Sequence, residues 1–170
     1  MMLPVWASWT LLIAVALARL VELAVAQRNT RALIARGARE VGAAHYPLIV
    51  AVHTLWLLTL AAWIARTDAP LHLGWALAYL AVQPLRVWVI RTLGPYWTTR
   101  IICVPDAPLV RRGPYRVLKH PNYAVVVAEI ALLPLAVGAW QIAAIFTVLN
   151  AAVLAVRLRA ENAALALRPS

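Results

Sequence analysis

The stretch RRGPYRVLKHPNY, residues 111–123, gathers side chains that can do chemistry in a chain otherwise poor in them. Pro114 and Pro121 fix the backbone on either side of a short segment with room for one helical turn. His120 and Tyr123 lie three apart where the next helix begins. There the backbone amides of residues 121–124 are expected to point outward, and the helix dipole favours an anion. Arg111, Arg112, Arg116 and Lys119 surround the place, so a carboxylate or a phosphate would be held. Tyr115 and Tyr123 add ring faces that can stack on adenine or attract a cation.

A second set of such residues closes the chain, in LNAAVLAVRLRAENAAL. At about 100° per residue, Asn150, Arg157 and Glu161 fall within about 20° of one line along a helix, with Leu154 near it. Asn150 lies about 16 Å deeper than Glu161 by the helical rise. Two readings are open: a structural ion pair one turn apart, or a functional stripe running from water into the bilayer. The basic stretch is also open to two readings, since juxtamembrane cations commonly meet anionic lipid headgroups. Headgroup attraction, however, demands neither prolines nor tyrosines at fixed offsets.

The elements that must position these residues are membrane helices. Of the 170 residues 64% are hydrophobic and 13% charged, with eight tryptophans, and the mean hydropathy is +0.79. A span needs about 20 apolar residues. Five stretches approach that: Leu3 to Ala26, His45 to Ala65, Leu71 to Ile90, Tyr123 to Val137 and Trp140 to Val156. The fourth is short and is separated from the fifth only by Gly138 and Ala139, after Pro134, which predicts a tight helical hairpin. The expected fold is therefore all-α: one polytopic membrane domain over residues 1–170, of about five helices. The tripeptide Gly-Pro-Tyr occurs at Gly94 and again at Gly113, too short a match to argue duplication.

The net charge of +10 follows a membrane orientation rule rather than a nucleic-acid footprint. Arg28, Arg31, Arg36 and Arg39 fall between the first and second runs, and Arg91, Arg100, Arg111, Arg112, Arg116 and Lys119 between the third and fourth. Arg157, Arg159 and Arg168 close the chain. The loop after the second run carries Arg66 beside Asp68, while the N-terminus and the Gly138 turn carry no Lys or Arg. Positive loops stay inside, so the N-terminus is expected outside the cytoplasmic membrane and the C-terminus and basic stretch in the cytoplasm. The first span lacks a basic n-region and runs past Arg19 and Glu22, as a retained helix would. Cys103 stands alone and is expected to remain a thiol. No CxxC pair, HExxH or phosphate-cradling glycine loop occurs, so no metal or P-loop chemistry is expected.

Ionisable groups within the apolar runs need partners or water. Arg19 and Glu22, three apart, can neutralise one another on one helix face. His53 reads as a hydrogen-bonded packing residue. Arg86 and Glu129 either pair across helices or line a cavity.

The segment GPYRVLKHPNY resembles the Gly-Pro-Tyr-Arg and Arg-His-Pro-x-Tyr signature of the isoprenylcysteine carboxyl methyltransferase family, integral membrane enzymes that use S-adenosylmethionine. The tail resembles that family's closing pattern of an arginine, a Glu-Glu pair four and five residues later, then a leucine. Arg157, Glu161 and Leu165 match it, whereas Asn162 stands where the second glutamate is usual. RLVEL, ARGAREVGAAHYP, PLRVWVIRTLG and WTTRI look like the short bacterial branch, so the resemblance covers nearly the whole chain.

The resemblance implies Tyr115, His120, Pro121, Tyr123 and Glu161 at an S-adenosylmethionine site, with Arg157 and Asn150 at the reaction end. It also implies a lipophilic acceptor drawn from the bilayer, such as the hydroxyl of an alkylpyrone or phenolic lipid; methylation of a phospholipid amine is open too. In-line positioning would do most of the work. A carboxylate acceptor needs no base, and for a phenol or enol His120 and Glu161 are the candidates. Membrane lipids are the expected surroundings, nucleic acid is not an expected partner, and a dimer is compatible with the chain. Two other classes remain in view. His-Pro-Asn-Tyr also resembles NADPH-dependent membrane sterol reductases, although the tail is unlike theirs. A small proton-linked transporter would use Glu22, His53 and Glu129 but leaves the basic stretch without a role.

Overall fold

The computed structural model describes residues 1–105 and 110–166, with side chains in the last helix described through 163. Leu165, as a side chain, and Arg168 lie outside the described residues. Five helices form: α1 (Val5–Ala35), α2 (Tyr46–Thr67), α3 (Leu73–Leu93), α4 (Pro121–Ala136) and α5 (Trp140–Ala166). The chain is an all-α integral membrane protein. Prolines stand where helices start: Pro4 precedes α1, Pro47 lies in the first turn of α2 and Pro121 opens α4. Their fixed φ suits a first turn, where no amide hydrogen is needed. Gly138, at φ +70°, turns α4 into α5 and makes the expected hairpin.

Helix ends differ from the ends of the apolar runs. α1 continues from Ala26 to Ala35, so Arg28 and Arg31 lie on the helix and not in the loop. α5 continues well past Val156 and carries Arg157 and Glu161 with it. Arg, Gln, Ala and Leu are all good helix formers, so apolarity marks where lipid stops and not where the helix does. Four helices are long and apolar enough to cross a membrane, while α4 has 16 residues. It falls short of a full span and stops about 16 Å before the far end of α5. The recess above its first residue is lined by Tyr115, Lys119 and His120 of the preceding connection.

Two short ribbons tie the helix ends together. β1 (Met2–Leu3) pairs antiparallel with β3 (Leu71–His72), Met2 opposite His72. At the same end Trp63 donates from Nε1 to the Val137 carbonyl at 3.1 Å. At the other end β2 (Arg39–Val41) pairs antiparallel with β4 (Ile101–Cys103), Arg39 opposite Cys103. The N-terminus, the α2–α3 connection and the α4–α5 turn thus share one end, and the two basic connections share the other. Leu60, Ile64, Ile130, Leu133 and Ala136 fill the centre of the bundle. Ile13, Leu17, Val21, Leu55, Leu58 and Val148 face outward, as expected of helices apolar on all sides that lie in lipid.

The ionisable residues of the spans meet in one network. Arg86 donates from Nε to Glu22 Oε1 at 2.7 Å and from Nη1 to Glu129 Oε2 at 2.7 Å. Arg19 reaches Glu22 at 3.1 Å, as its spacing predicts, and also Glu129 at 3.3 Å. Gln83 donates to Glu129 at 3.0 Å. Arg86 and Glu129 therefore both pair across helices and line a cavity. His53 donates from Nδ1 to the Ile49 carbonyl at 2.8 Å, the packing arrangement its position suggests.

Candidate functional site

The basic stretch is shaped by its glycine and prolines. Gly113 at φ +56° opens a 3₁₀ turn over Gly113–Arg116, so the single turn expected between Pro114 and Pro121 forms earlier, around Pro114 itself. Any Cβ at Gly113 would lie 2.6 Å from Thr92 Oγ1 and 3.1 Å from Trp88 Nε1, so only glycine lets the loop lie this close against α3. The earlier Gly-Pro-Tyr makes the same kind of turn, Gly94–Tyr96, again from a positive φ. The backbone at the start of α4 offers an anion less than expected. Pro121 has no amide hydrogen, and the Tyr123 amide is taken by the His120 carbonyl at 3.1 Å. Positive charge here comes chiefly from side chains.

Four of the named residues meet above that recess. The Tyr123 hydroxyl donates to Glu161 and accepts from Arg157 Nε at 2.8 Å. His120 Nδ1 lies 3.6 Å from Glu161 Oε1, and the His120 ring stacks on Tyr123 with centroids 5.2 Å apart. Arg157 also donates from Nη1 to the Thr99 carbonyl at 2.7 Å. Pro121 is fully buried and anchors the start of the helix that presents Tyr123. Tyr115 joins from the 3₁₀ turn; burial first, and then the Glu161 carboxylate, push its phenol above its ordinary range, so it stays protonated. Asn162 accepts from Lys119 Nζ at 2.8 Å on the exposed side. Asn150 does not join the cluster: it is buried two turns further down α5.

Two cavities of unlike character flank this cluster. The first, about 680 Å³, lies on the loop side and is lined by Arg111, Arg116, Lys119, Tyr115, His120 and Glu161 among others. Two buried atoms at its wall, His120 Nε2 and Asn122 Oδ1, have no hydrogen-bond partner among the described residues. The second, about 510 Å³, lies among the helices, with apolar walls and Asn150 on its lining. Leu20 and Leu58, both on its lining, are 62% and 60% exposed, so it reaches the outer face between α1 and α2. Trp97, Thr98, Asn122, Tyr123 and Arg157 line both cavities and form the wall between them.

Several of these residues carried no signal strong enough to single them out. Trp97, Thr98 and Thr99 sit in an irregular connection with no periodicity, where WTTRI marked the family resemblance but no role, and Asn122 stood only as the variable residue between Pro121 and Tyr123. Asn29, on α1, holds this connection by donating to the carbonyls of Gly94 at 3.1 Å and Trp97 at 2.9 Å. An amide within the arginine-rich continuation of α1 was the available hint. Tyr46 bonds Thr99 Oγ1 at 3.1 Å and lies under the Arg100 guanidinium, 4.1 Å from its ring centroid. Arg100 is held in turn by Glu40 at 2.7 Å.

Comparison with known proteins adds three observations. Residues 75–167 match the model of the isoprenylcysteine carboxyl methyltransferase (ICMT) family. The uncharacterized protein YpbQ of Bacillus subtilis (strain 168) is 42% identical over 160 residues, covering 92% of this chain and 95% of that one. An uncharacterized protein of Haemophilus influenzae (strain ATCC 51907 / DSM 11121 / KW20 / Rd) is 28% identical over 154 residues, 86% of this chain and 88% of that one. No solved structure matches.

Proposed function

The chain belongs to the isoprenylcysteine carboxyl methyltransferase family, a family of membrane methyltransferases, and from that premise we propose that it moves a methyl group from S-adenosylmethionine to a carboxylate or hydroxyl of a lipid-like acceptor. One observation carries this reading: a polar cavity and an apolar cavity share a wall made in part by Tyr123 and Arg157. A water-soluble cofactor and a lipid can then approach the same side chains from opposite sides.

The residues present fit the cofactor. A volume of about 680 Å³ suits a small-molecule ligand. Arg111, Arg116 and Lys119 would hold the methionyl carboxylate. His120 Nε2 and Asn122 Oδ1, buried without partners, would serve the polar edges of the nucleoside. The Tyr115, His120 and Tyr123 rings and the Glu161 carboxylate would face its cationic sulfur. When bound, the cofactor supplies an electrophilic methyl group.

Everything else is positioning by this chain. Arg157 is fixed by Tyr123 and the Thr99 carbonyl, while its Nη2 has no hydrogen-bond partner among the described residues. That nitrogen would orient an acceptor oxygen bearing negative charge. Glu161 holds the Tyr123 hydroxyl and sits beside His120. For a hydroxyl acceptor, Glu161 or His120 would take the proton; a carboxylate acceptor needs neither. Asn150 would touch the acceptor below the reacting oxygen. Such alignment is worth several kcal/mol of barrier without a metal.

The finer reading is O-methylation of an alkylpyrone or phenolic lipid at the cytoplasmic face of the inner membrane, the basic connections inside and the N-terminus outside. The charge asymmetry of the connections supports that orientation. Calorimetry of detergent-purified protein with S-adenosylmethionine, NADPH as comparator, tests the cofactor. Saturable binding of S-adenosylmethionine, weakened at least tenfold or so in His120→Ala, is expected for a lost hydrogen bond and ring face. Binding of NADPH instead would replace this reading with a reductase, and binding of neither would leave the cations to lipid headgroups.

A further inference from the structure

Below the reacting end the apolar cavity has a second polar layer, of which the methyl-transfer reading uses only Asn150. Arg157 and Tyr123 stand at its upper wall; seven residues down α5, about 10 Å by the helical rise, Asn150 lines the same space. At its floor the cavity meets Arg19, His53, Trp56 and Tyr79. The hydrogen-bonding capacity of this floor is unmet. Trp56 Nε1 and Arg19 Nε are buried with no partner among the described residues. Tyr79 and Asn150, 2% and 4% exposed, bring a hydroxyl and an amide to the lining of the same space. His53 donates through Nδ1 to Ile49, so in the neutral ring Nε2 is left as an acceptor.

Such groups are costly to leave unpaired in a low-dielectric interior. Their character specifies what would satisfy them. Trp56, Tyr79 and Arg19 all offer hydrogens, which calls for an acceptor oxygen. The neighbouring charges cancel, Arg19 and Arg86 against Glu22 and Glu129. No unpaired charge is left over to neutralise an ion, so a neutral oxygen fits best: a ketone, ester carbonyl or hydroxyl. A hydroxyl could in addition donate to His53 Nε2.

We propose that the lipid acceptor carries a second oxygen function roughly 10 Å along its axis, the separation of Arg157 and Asn150 on α5: one oxygen is methylated beside Arg157 and a neutral one sits at the level of Asn150, in the part of the cavity that Trp56 and Tyr79 also line. A plain alkyl chain would leave the floor unsatisfied and bind less well. The inference rests on the methyl-transfer reading for the identity of the upper group, and it narrows the alkylpyrone or phenolic acceptor to one whose tail carries a further oxygen.

The test compares two synthetic probes on the full-length protein in detergent: a long-chain alkylphenol, and the same molecule with a keto oxygen placed roughly 10 Å along the chain. Affinity is read from tryptophan fluorescence, with S-adenosylmethionine binding measured calorimetrically in the same preparation. The keto probe is expected to bind about tenfold more tightly, the worth of one or two buried hydrogen bonds. Tyr79→Phe, which keeps its ring, should shrink that preference severalfold while leaving the plain probe and S-adenosylmethionine unchanged, and Trp56→Phe, which loses the indole N–H with part of the ring, should also shrink it severalfold with S-adenosylmethionine unchanged. Equal affinity for the two probes, with S-adenosylmethionine bound normally, would overturn the second oxygen and leave the methyltransferase standing. A keto preference that persists in both variants would equally overturn the floor as its cause. Loss of S-adenosylmethionine binding in the unaltered protein would instead count against the methyl-transfer reading itself.

Discussion

The molecule holds two clusters of charge on its helices, and they are built to opposite rules. In the middle of the bundle Arg19, Arg86, Glu22 and Glu129 balance in charge and bond one another across α1, α3 and α4, with Gln83 taking a further lone pair of Glu129. Above the recess, His120, Tyr123, Arg157 and Glu161 are also bonded to each other, yet His120 Nε2 and Asn122 Oδ1 are left over and face a cavity. Partners in the first cluster match charge for charge, two guanidinium groups against two carboxylates, with only Arg19 Nε left over among the described residues. Those in the second hold one another in place while keeping atoms free. The first arrangement suits holding helices together in lipid, where unpaired charge is expensive; the second suits receiving a ligand.

Substitutions should separate the two. Removing Arg86 is expected to do most harm, because Glu22 and Glu129 would keep only Arg19 between them. Arg86→Met should destabilise the protein by about 3–5 kcal/mol, the range for breaking a buried pair, read by unfolding in detergent. A loss below about 1 kcal/mol would mean that water reaches the network and the contrast with the upper cluster is false. Glu161→Ala, in the upper cluster, should lower methyl transfer about a hundredfold, in keeping with a group that orients or accepts a proton. Its unfolding temperature should stay within a few degrees or so of the unaltered protein. A fully active Glu161→Ala protein would remove that carboxylate from the site. The smallest effect belongs to Asn162→Glu, which restores the carboxylate usual at that position. Lys119 already meets Asn162 on the exposed side, so a new surface pair there should change activity less than about threefold.

What could be read from the sequence follows from how local each signal is. The five apolar runs and the Pro134–Gly138 hairpin are properties of consecutive residues, and all five became helices. The turn over Gly113–Arg116 was visible for the same reason, in its glycine and proline. Partnership was less legible. Arg19 was matched to Glu22, three residues away, but its bonds to Glu129 span 110 positions. No pattern in one chain announces such a contact. The wall between the cavities was hidden more deeply, since Trp97, Thr98 and Thr99 lie in an irregular connection whose place depends on Asn29 of another helix. Stripe geometry on α5 put Asn150, Arg157 and Glu161 in one line. Only the packing of the other helices shows that this line passes from one cavity into the next.

The central network also bears on how the chain is made. Synthesis and insertion proceed from the N-terminus, and α1 must enter lipid before its later partners exist. Arg19 and Glu22, 3.1 Å apart on that one helix, let it enter as a neutral unit. When α3 arrives, Arg86 finds Glu22 already in the bilayer; when α4 arrives, Glu129 finds Arg86. Each new charge thus meets a waiting counterpart, and the order of the helices along the chain is one in which no carboxylate has to enter the membrane alone.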